Sequence, residues 1–333
     1  MKHALALALS LACGCAPETV KRPVAPIDWA SFATRTGLAA PVARSATAKE
    51  RDAAGVYLAA LSASDLGALS NVLDDDAHFA FAGFHDVHGF ENVSRAHAAL
   101  FGEFEPRTIA ADRILLTDRS QAIEWTLTGM AKSSEKPLAF RGLTLLWTKD
   151  DGSVVDVHVY FDEAVVRAEL GRGPLALANL PPPPLPSGPP VVSEQHGDLD
   201  EHENVDRVRA QLDALEGTDE SAYANAVTDD FELVTLERAE PERGKAAARA
   251  YFKAMHKAIA HLDTSIDNVW GADRFVVVEY DVVGEQIGPL GLIPAQRNNL
   301  LKLFVADVVE LRGDKIARIV RYDNPSQALT VTP

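Results

Sequence analysis

From Val154 to Asp162 the chain alternates. Val155, Val157, Val159 and Phe161 fall on one side, and Asp156, His158, Tyr160 and Asp162 on the other. Alternation at this length predicts a strand with one apolar and one polar face. The pattern returns from Lys315 to Asp323. Each copy follows a tight polar turn, Asp150-Asp151-Gly152-Ser153 in one case and Arg312-Gly313-Asp314 in the other, which is hairpin chemistry. Each ends in an aromatic residue followed by Asp. The chain reads as one fold written twice.

The rest of the pattern agrees. Val56, Leu58, Leu61, Leu66, Leu69 and Val72 are spaced for two consecutive helices, which Asp74–Asp76 would end. A short strand is expected at 78–84, an amphipathic helix at 91–104, and strands at 108–116, 121–130 and 138–148 before the alternating strand and a small closing helix at 163–170. The second half repeats this order. Helices are expected at 205–215 and 219–227, a strand at 231–236, a helix at 245–260, and strands at 262–268, 275–284, 299–310 and 315–323.

The repeat has a register. Asp75-Asp76 and Asp229-Asp230 are offset by 154 residues; Gly89 and Gly244, like the strands opening at Glu124 and Glu279, by 155; Asp162 and Asp323 by 161. The Gly- and Pro-rich insertion Ile287 to Gln296 accounts for the change. A near-constant offset through different local structures marks an internal repeat. It divides the chain into a first domain at 48–172, a Pro-rich linker at 173–203 and a second domain at 204–326. Leu180 to Pro186 is expected to form a stiff polyproline spacer.

The formal net charge of −16 repels phosphate backbones, so no nucleic-acid partner is expected. The only two cysteines, Cys13 and Cys15, leave none in the body for a disulfide or a cysteine metal site. Residues 1–15 read as an export signal, with Lys2 ahead of an apolar run too short to span a bilayer as a helix. Leu11-Ala12-Cys13-Gly14-Cys15 resembles a bacterial lipobox. That resemblance implies a lipid anchor on Cys15, or alternatively Cys13, followed by a tether at 16–47. The expected location is the bacterial cell envelope, at the outer membrane or periplasmic face, with plain secretion as the alternative.

Glu124-Trp125-Thr126-Leu127-Thr128-Gly129, Phe140-Arg141-Gly142, and Tyr160-Phe161-Asp162 followed by Glu169-Leu170-Gly171 together resemble the SnoaL-like branch of the NTF2-like superfamily. In that family Gln is usual where Glu169 stands, and the second half keeps only Tyr322-Asp323. The resemblance implies an α+β fold: two tandem cone-shaped barrels, each a curved antiparallel sheet wrapped on helices with a pocket at its open end. Members include polyketide cyclases, ketosteroid isomerases, dehydratases and non-catalytic binding modules, so fold alone does not choose the chemistry.

Catalytic members use a carboxylate, sometimes with histidine, tuned by an apolar surround. The candidates are Asp162 and His158, about 13 Å apart along an ideal strand. A regular strand would point Asp162 outward, with capping of the following helix as its ordinary role. Trp125, Tyr160, Tyr280, Tyr322 and Asp323 are the candidate pocket residues. His85-x-x-His88 invites a metal reading, but no metal and no cofactor is expected. No phosphate-binding, nucleophile-elbow or zinc-protease motif occurs. Two functions stay open. One is an anchored, non-catalytic protein that holds a small hydrophobic molecule or a partner, its domains paired with each other or in a homodimer. The other is a SnoaL-like acid–base cyclase, isomerase or hydrolase.

Overall fold

In the computed structural model, the described residues are 48–81, 85–172, 177, 180–186, 188–291, 293–295 and 299–325. Cys13, Cys15, the signal and the tether lie outside them. The first half comprises α1 (Ala48–Ser62), a 3-10 turn (Leu66–Asn71), β1 (Leu73–Phe81), β2 (His85–His88), α2 (Phe90–Phe101), β3 (Phe104–Leu116), β4 (Ser120–Ala131), β5 (Lys136–Thr148), β6 (Val154–Tyr160) and α3 (Glu163–Glu169). After β7 (Val191–Glu194), the second half comprises α4 (Leu199–Glu216), α5 (Glu220–Asn225), β8 (Val227–Val234), β9 (Glu242–Arg243), α6 (Gly244–Ala258), β10 (Ile259–Ala272), β11 (Phe275–Gln286), β12 (Asn299–Arg312) and β13 (Lys315–Asp323).

Each half builds one sheet of the same topology. The orders are β2-β1-β6-β5-β4-β3-β7 and β10-β11-β12-β13-β8-β9. In both, the last long strand lies parallel to the first strand and antiparallel to its other neighbour. In both, a positive-φ glycine turns the chain into the helix that fills the concave side, Gly89 (φ 82°) before α2 and Gly244 (φ 72°) at the start of α6. Val93, Ala96, His97 and Phe101 are the buried stripe of α2; Ala247, Ala248, Phe252 and Met255 are that of α6.

The core strands are buried on both faces. Ile123, Trp125 and Leu127 of β4 face the first domain's helices, and Val276, Val278, Tyr280 and Val282 of β11 face those of the second. The opposite faces meet between the domains. Leu115, Ala122, Leu143, Leu145 and Tyr160 pack with Phe275, Val277, Ala306, Val308, Val320 and Tyr322 in one cluster. Double-sided burial explains why these strands read as nearly continuous apolar runs rather than clean alternations.

Three expectations need correcting. Asp74–Asp76 and Asp229-Asp230 do not stop helices; they lie within β1 and β8, with Asp75, Asp76, Asp229 and Asp230 exposed to solvent. The linker is not merely a spacer, because Val191–Glu194 pairs parallel with Arg113–Leu116 and extends the first sheet. The first helix of the second half begins earlier than residue 205: α4 starts at Leu199, capped by Asp198, whose side chain accepts from the Glu201 amide.

Candidate functional site

The hydrogen-bond ladders fix which residues of the two halves are equivalent. Glu124 faces Leu143, which faces Tyr160; Glu279 faces Ala306, which faces Tyr322. Tyr160 therefore corresponds to Tyr322, Phe161 to Asp323 and Asp162 to Asn324. The aromatic–Asp endings suggested pairing Asp162 with Asp323; the ladders shift that match by one residue.

This shift separates the two interiors. In the first domain Phe161 packs within 4.6–6.4 Å, centroid to centroid, of Phe81, Phe101, Trp125 and Phe140. Trp125 lies over Gly142, where an added Cβ would sit 2.2 Å from the indole, and its Nε1 donates to Thr144 Oγ1 at 3.0 Å. Tyr57 and His97 close the far side with a 2.7 Å hydrogen bond. Among the described residues these rings occupy the first interior around Phe161, and Trp125 is part of that core.

In the second domain Leu303 replaces Phe140 and Asp323 replaces Phe161. The space the rings would occupy becomes part of a cavity of about 210 Å³. Its wall includes Tyr251, Met255, Val282, Leu290, Leu303 and Val305, and its polar groups include Thr235, Glu237, Arg321 and Asp323. Arg321 is held rigidly. Its Nε donates to Asp307 Oδ1 at 2.9 Å, its Nη2 to Asp307 Oδ2 at 2.7 Å and to Tyr280 Oη at 2.8 Å, and its guanidinium lies 4.4 Å from the Tyr251 ring centre. Tyr280 Oη in turn donates to Asp307. A paired, hydrogen-bonded charge of this kind is tolerated in an apolar interior. By contrast, the buried Thr235 Oγ1 and Glu237 Oε2 have no hydrogen-bond partner among the described residues.

Asp323 is enclosed by protein but opens onto the cavity. Burial, reinforced by the nearby charge of Glu237, pushes its carboxyl up to about 7. Asp162 does not point outward. It is buried, caps α3 by accepting from the amides of Ala164 and Val165, and is likewise pushed up to about 7, by burial and by Glu237. A strand that continued regularly would expose it; the chain instead leaves β6 at Tyr160 and turns into α3.

His158 is directed elsewhere. Its Nδ1 lies 2.5 Å from Glu279 Oε1 of the second domain and its Nε2 lies 3.1 Å from Asp156 Oδ1. Burial opposes its charge, but the two carboxylates prevail and raise it to about 10. The partners of Asp162 are the α3 amides, so the structure does not join it to His158 in a catalytic pair. Tyr160 and Tyr322 do not line this cavity either. Tyr160 donates to Glu279 across the domain seam, and Tyr322 donates to Glu124 at 2.7 Å in the reciprocal contact. Tyr280 lies behind the cavity, on Arg321. Of the five expected pocket residues only Asp323 lines it.

Sequence reasoning missed Asp307, Glu237, Glu124 and Glu279 as functional groups. A signal existed for three of them: Glu124, Glu279 and Asp307 are acids inside otherwise apolar strands, positions that require a buried partner.

A family model described as "SnoaL-like domain" matches residues 55–157 and again 208–319. The chain belongs to the SnoaL-like family and carries that domain twice in tandem. Solved structures similar to parts of the chain include a candidate SnoaL-like polyketide cyclase from Jannaschia sp. CCS1, 17% identical, covering 42% of this chain and 99% of its own, with a TM-score of 0.38. A protein with a ketosteroid isomerase-like fold from Catenulispora acidiphila, solved with trimethylamine, is 19% identical over 37% of this chain and 88% of its own, TM-score 0.33. An LEH-like epoxide hydrolase from M. tuberculosis is 18% identical over 39% of this chain and 89% of its own, TM-score 0.32. No curated protein matches the chain. Membership of the family rests on the two family-model matches, not on these structural neighbours.

Proposed function

We propose that this protein is a ligand-binding lipoprotein of the bacterial envelope, tethered through Cys15, whose second SnoaL-like domain holds one small, mostly apolar molecule while the first serves as its filled, structural partner. The observation that carries this reading is the exchange of Phe161 for Asp323: the same place in the fold is plugged in one half and open in the other. A cavity of about 150 Å³ takes a benzene ring, so about 210 Å³ suits a single ring with a short substituent. The free polar atoms of Thr235 and Glu237 and the carboxyl of Asp323 would fix the orientation of a substituent that donates hydrogen bonds.

One observation favours a catalytic alternative. A carboxyl poised near 7 against an apolar wall has the pKa of a working general acid or base. Under that reading Asp323, and not Asp162 or His158, would carry the proton. Native mass spectrometry of the chain from residue 16, as purified, tests the main proposal. A bound small molecule is expected on the wild type and absent from the variant carrying Leu303→Phe and Asp323→Phe; equal occupancy in both would remove the cavity as its site.

A further inference from the structure

A second cluster lies on β1 and β6 of the first sheet, apart from the cavity. His78 stands opposite Asp156 in the parallel β1–β6 pairing, and Ala80 stands opposite His158. Asp156 and His158 are two apart on β6, so both project from the same face. Both imidazoles converge on one carboxylate oxygen: His78 Nδ1 lies 2.8 Å and His158 Nε2 3.1 Å from Asp156 Oδ1. The three donor atoms all lie within 4.8 Å of one another.

The outer nitrogens are also occupied. His158 Nδ1 meets Glu279 Oε1 at 2.5 Å, and His78 Nε2 meets Asp86 Oδ1 at 2.8 Å. His78 is stacked on His88 with ring centres 4.5 Å apart, and Trp147 lies 4.6 Å from His158. Two histidines, each with a carboxylate behind it and its other nitrogen turned to a common point, form the carboxylate–histidine arrangement that orients metal ligands. Bond lengths of about 2.0–2.2 Å from zinc to nitrogen or oxygen place tetrahedral ligands roughly 3.3 Å apart. The observed 2.8 and 3.1 Å need only small side-chain rotations to admit an ion.

The repeat supplies a contrast within the molecule. The same ladder positions in the second sheet hold Glu232 opposite Arg318 and Val234 opposite Val320. There the pairing is a loose ion pair at 3.9 Å, with no imidazole. The histidines are thus not a requirement of the fold.

We infer that His78 Nδ1, Asp156 and His158 Nε2 form a binding site for one zinc-class divalent cation, with the fourth position open to water or an exogenous ligand, and with Asp86 and Glu279 as outer partners. Two imidazoles and one carboxylate suit Zn²⁺, Co²⁺ or Ni²⁺ and disfavour Mg²⁺ and Ca²⁺, which prefer all-oxygen sets. Because Glu279 belongs to the second domain, an ion held by His158 would also tighten the seam.

The test is isothermal titration of the metal-stripped chain with ZnCl₂, with MgCl₂ as control, in a background carrying Cys13→Ser and Cys15→Ser. The expected result is one Zn²⁺ per chain, no response to Mg²⁺, and the intense visible bands of a tetrahedral site on Co²⁺ substitution. His78→Ala and His158→Ala should each weaken Zn²⁺ binding at least about 100-fold, and Asp86→Asn about tenfold, as outer-partner losses do. Asp156→Asn, which keeps size and shape, guards against loss of fold and should also lose the ion while its far-ultraviolet spectrum is unchanged. Absence of Zn²⁺ binding to the folded chain, or binding indifferent to these substitutions, would leave the cluster a plain hydrogen-bonded network and overturn the inference.

Discussion

Phe161 and Asp323 occupy the same position in two copies of one fold, immediately after the tyrosine that crosses to the other domain. In the first copy the residue completes an aromatic core. In the second it presents a carboxyl to a cavity. Under the proposed function, one copy holds the structure while the other takes the ligand.

Filling the hollow should be favourable for stability. Leu303→Phe with Asp323→Phe restores the first domain's rings and removes an enclosed carboxyl. Thermal unfolding at pH 8 should show a gain of about 1–2 kcal/mol, the usual scale for a filled cavity, together with loss of any ligand-induced rise in Tm. A loss of stability would mean that the second interior cannot take the first one's packing.

The reciprocal tyrosines should couple the halves. Tyr322 donates to a buried Glu124 that also pairs with Arg113 at 3.0 Å. Tyr322→Phe removes a hydrogen bond to a charged acceptor and is expected to cost about 1.5–3 kcal/mol in urea unfolding. A double-mutant cycle with Glu124→Gln should show strong coupling, and additive costs would contradict the contact.

Asp162 and Asp323 make stability depend on pH in the direction opposite to ordinary salt-bridged acids. Both are raised to about 7 in the fold, whereas an unfolded Asp titrates near 3.9. Between these values the folded state binds more protons, so stability falls as pH rises from about 4 to 7 and is flat above. The two share the influence of Glu237, so the combined drop lies between about 4 kcal/mol, the size of one such shift, and twice that. Asp162→Asn keeps a capping side chain, and should raise Tm at pH 8 while leaving it nearly unchanged at pH 4.5. Equal effects at both pH values would show that Asp162 is ionised throughout.

Gly142 tests the filled interior. Its Cβ would strike the Trp125 ring, so Gly142→Ala should displace the indole and cost about 1–3 kcal/mol. The near-ultraviolet dichroism of tryptophan should change with it, and an unaltered signal would place Trp125 elsewhere.

The repeat and most strands were legible because period-two alternation and the 154–155 residue offset survive in the sequence. Three features were not. The acids Asp74–Asp76 look like a helix stop, yet the pairing of β1 with β6 breaks register between Leu73 and His78, and there Asp75 and Asp76 both reach solvent. The four-residue β7 sits among prolines and is too short to show a period; it exists because β3 offers an edge. Aromatic residues at repeat-equivalent positions look like pocket walls in the sequence, but packing depends on what stands opposite. Trp125 meets Gly142 and fills its cone, while Tyr280 meets Val305 and is drawn to Asp307 and Arg321. Matching the two Asp residues of the aromatic–Asp endings concealed the step that places Phe161 opposite Asp323 in the comparison.

The claim that one half is filled and the other hollow is open to direct observation. Crystals of the chain from residue 16, soaked with a set of single-ring compounds bearing hydrogen-bond-donating substituents, should show ring density between Tyr251, Val282 and Leu303 with the substituent toward Glu237 and Asp323, and none among Phe101, Trp125 and Phe161. Density within the first interior, or a second cavity that stays empty across the whole set, would contradict it.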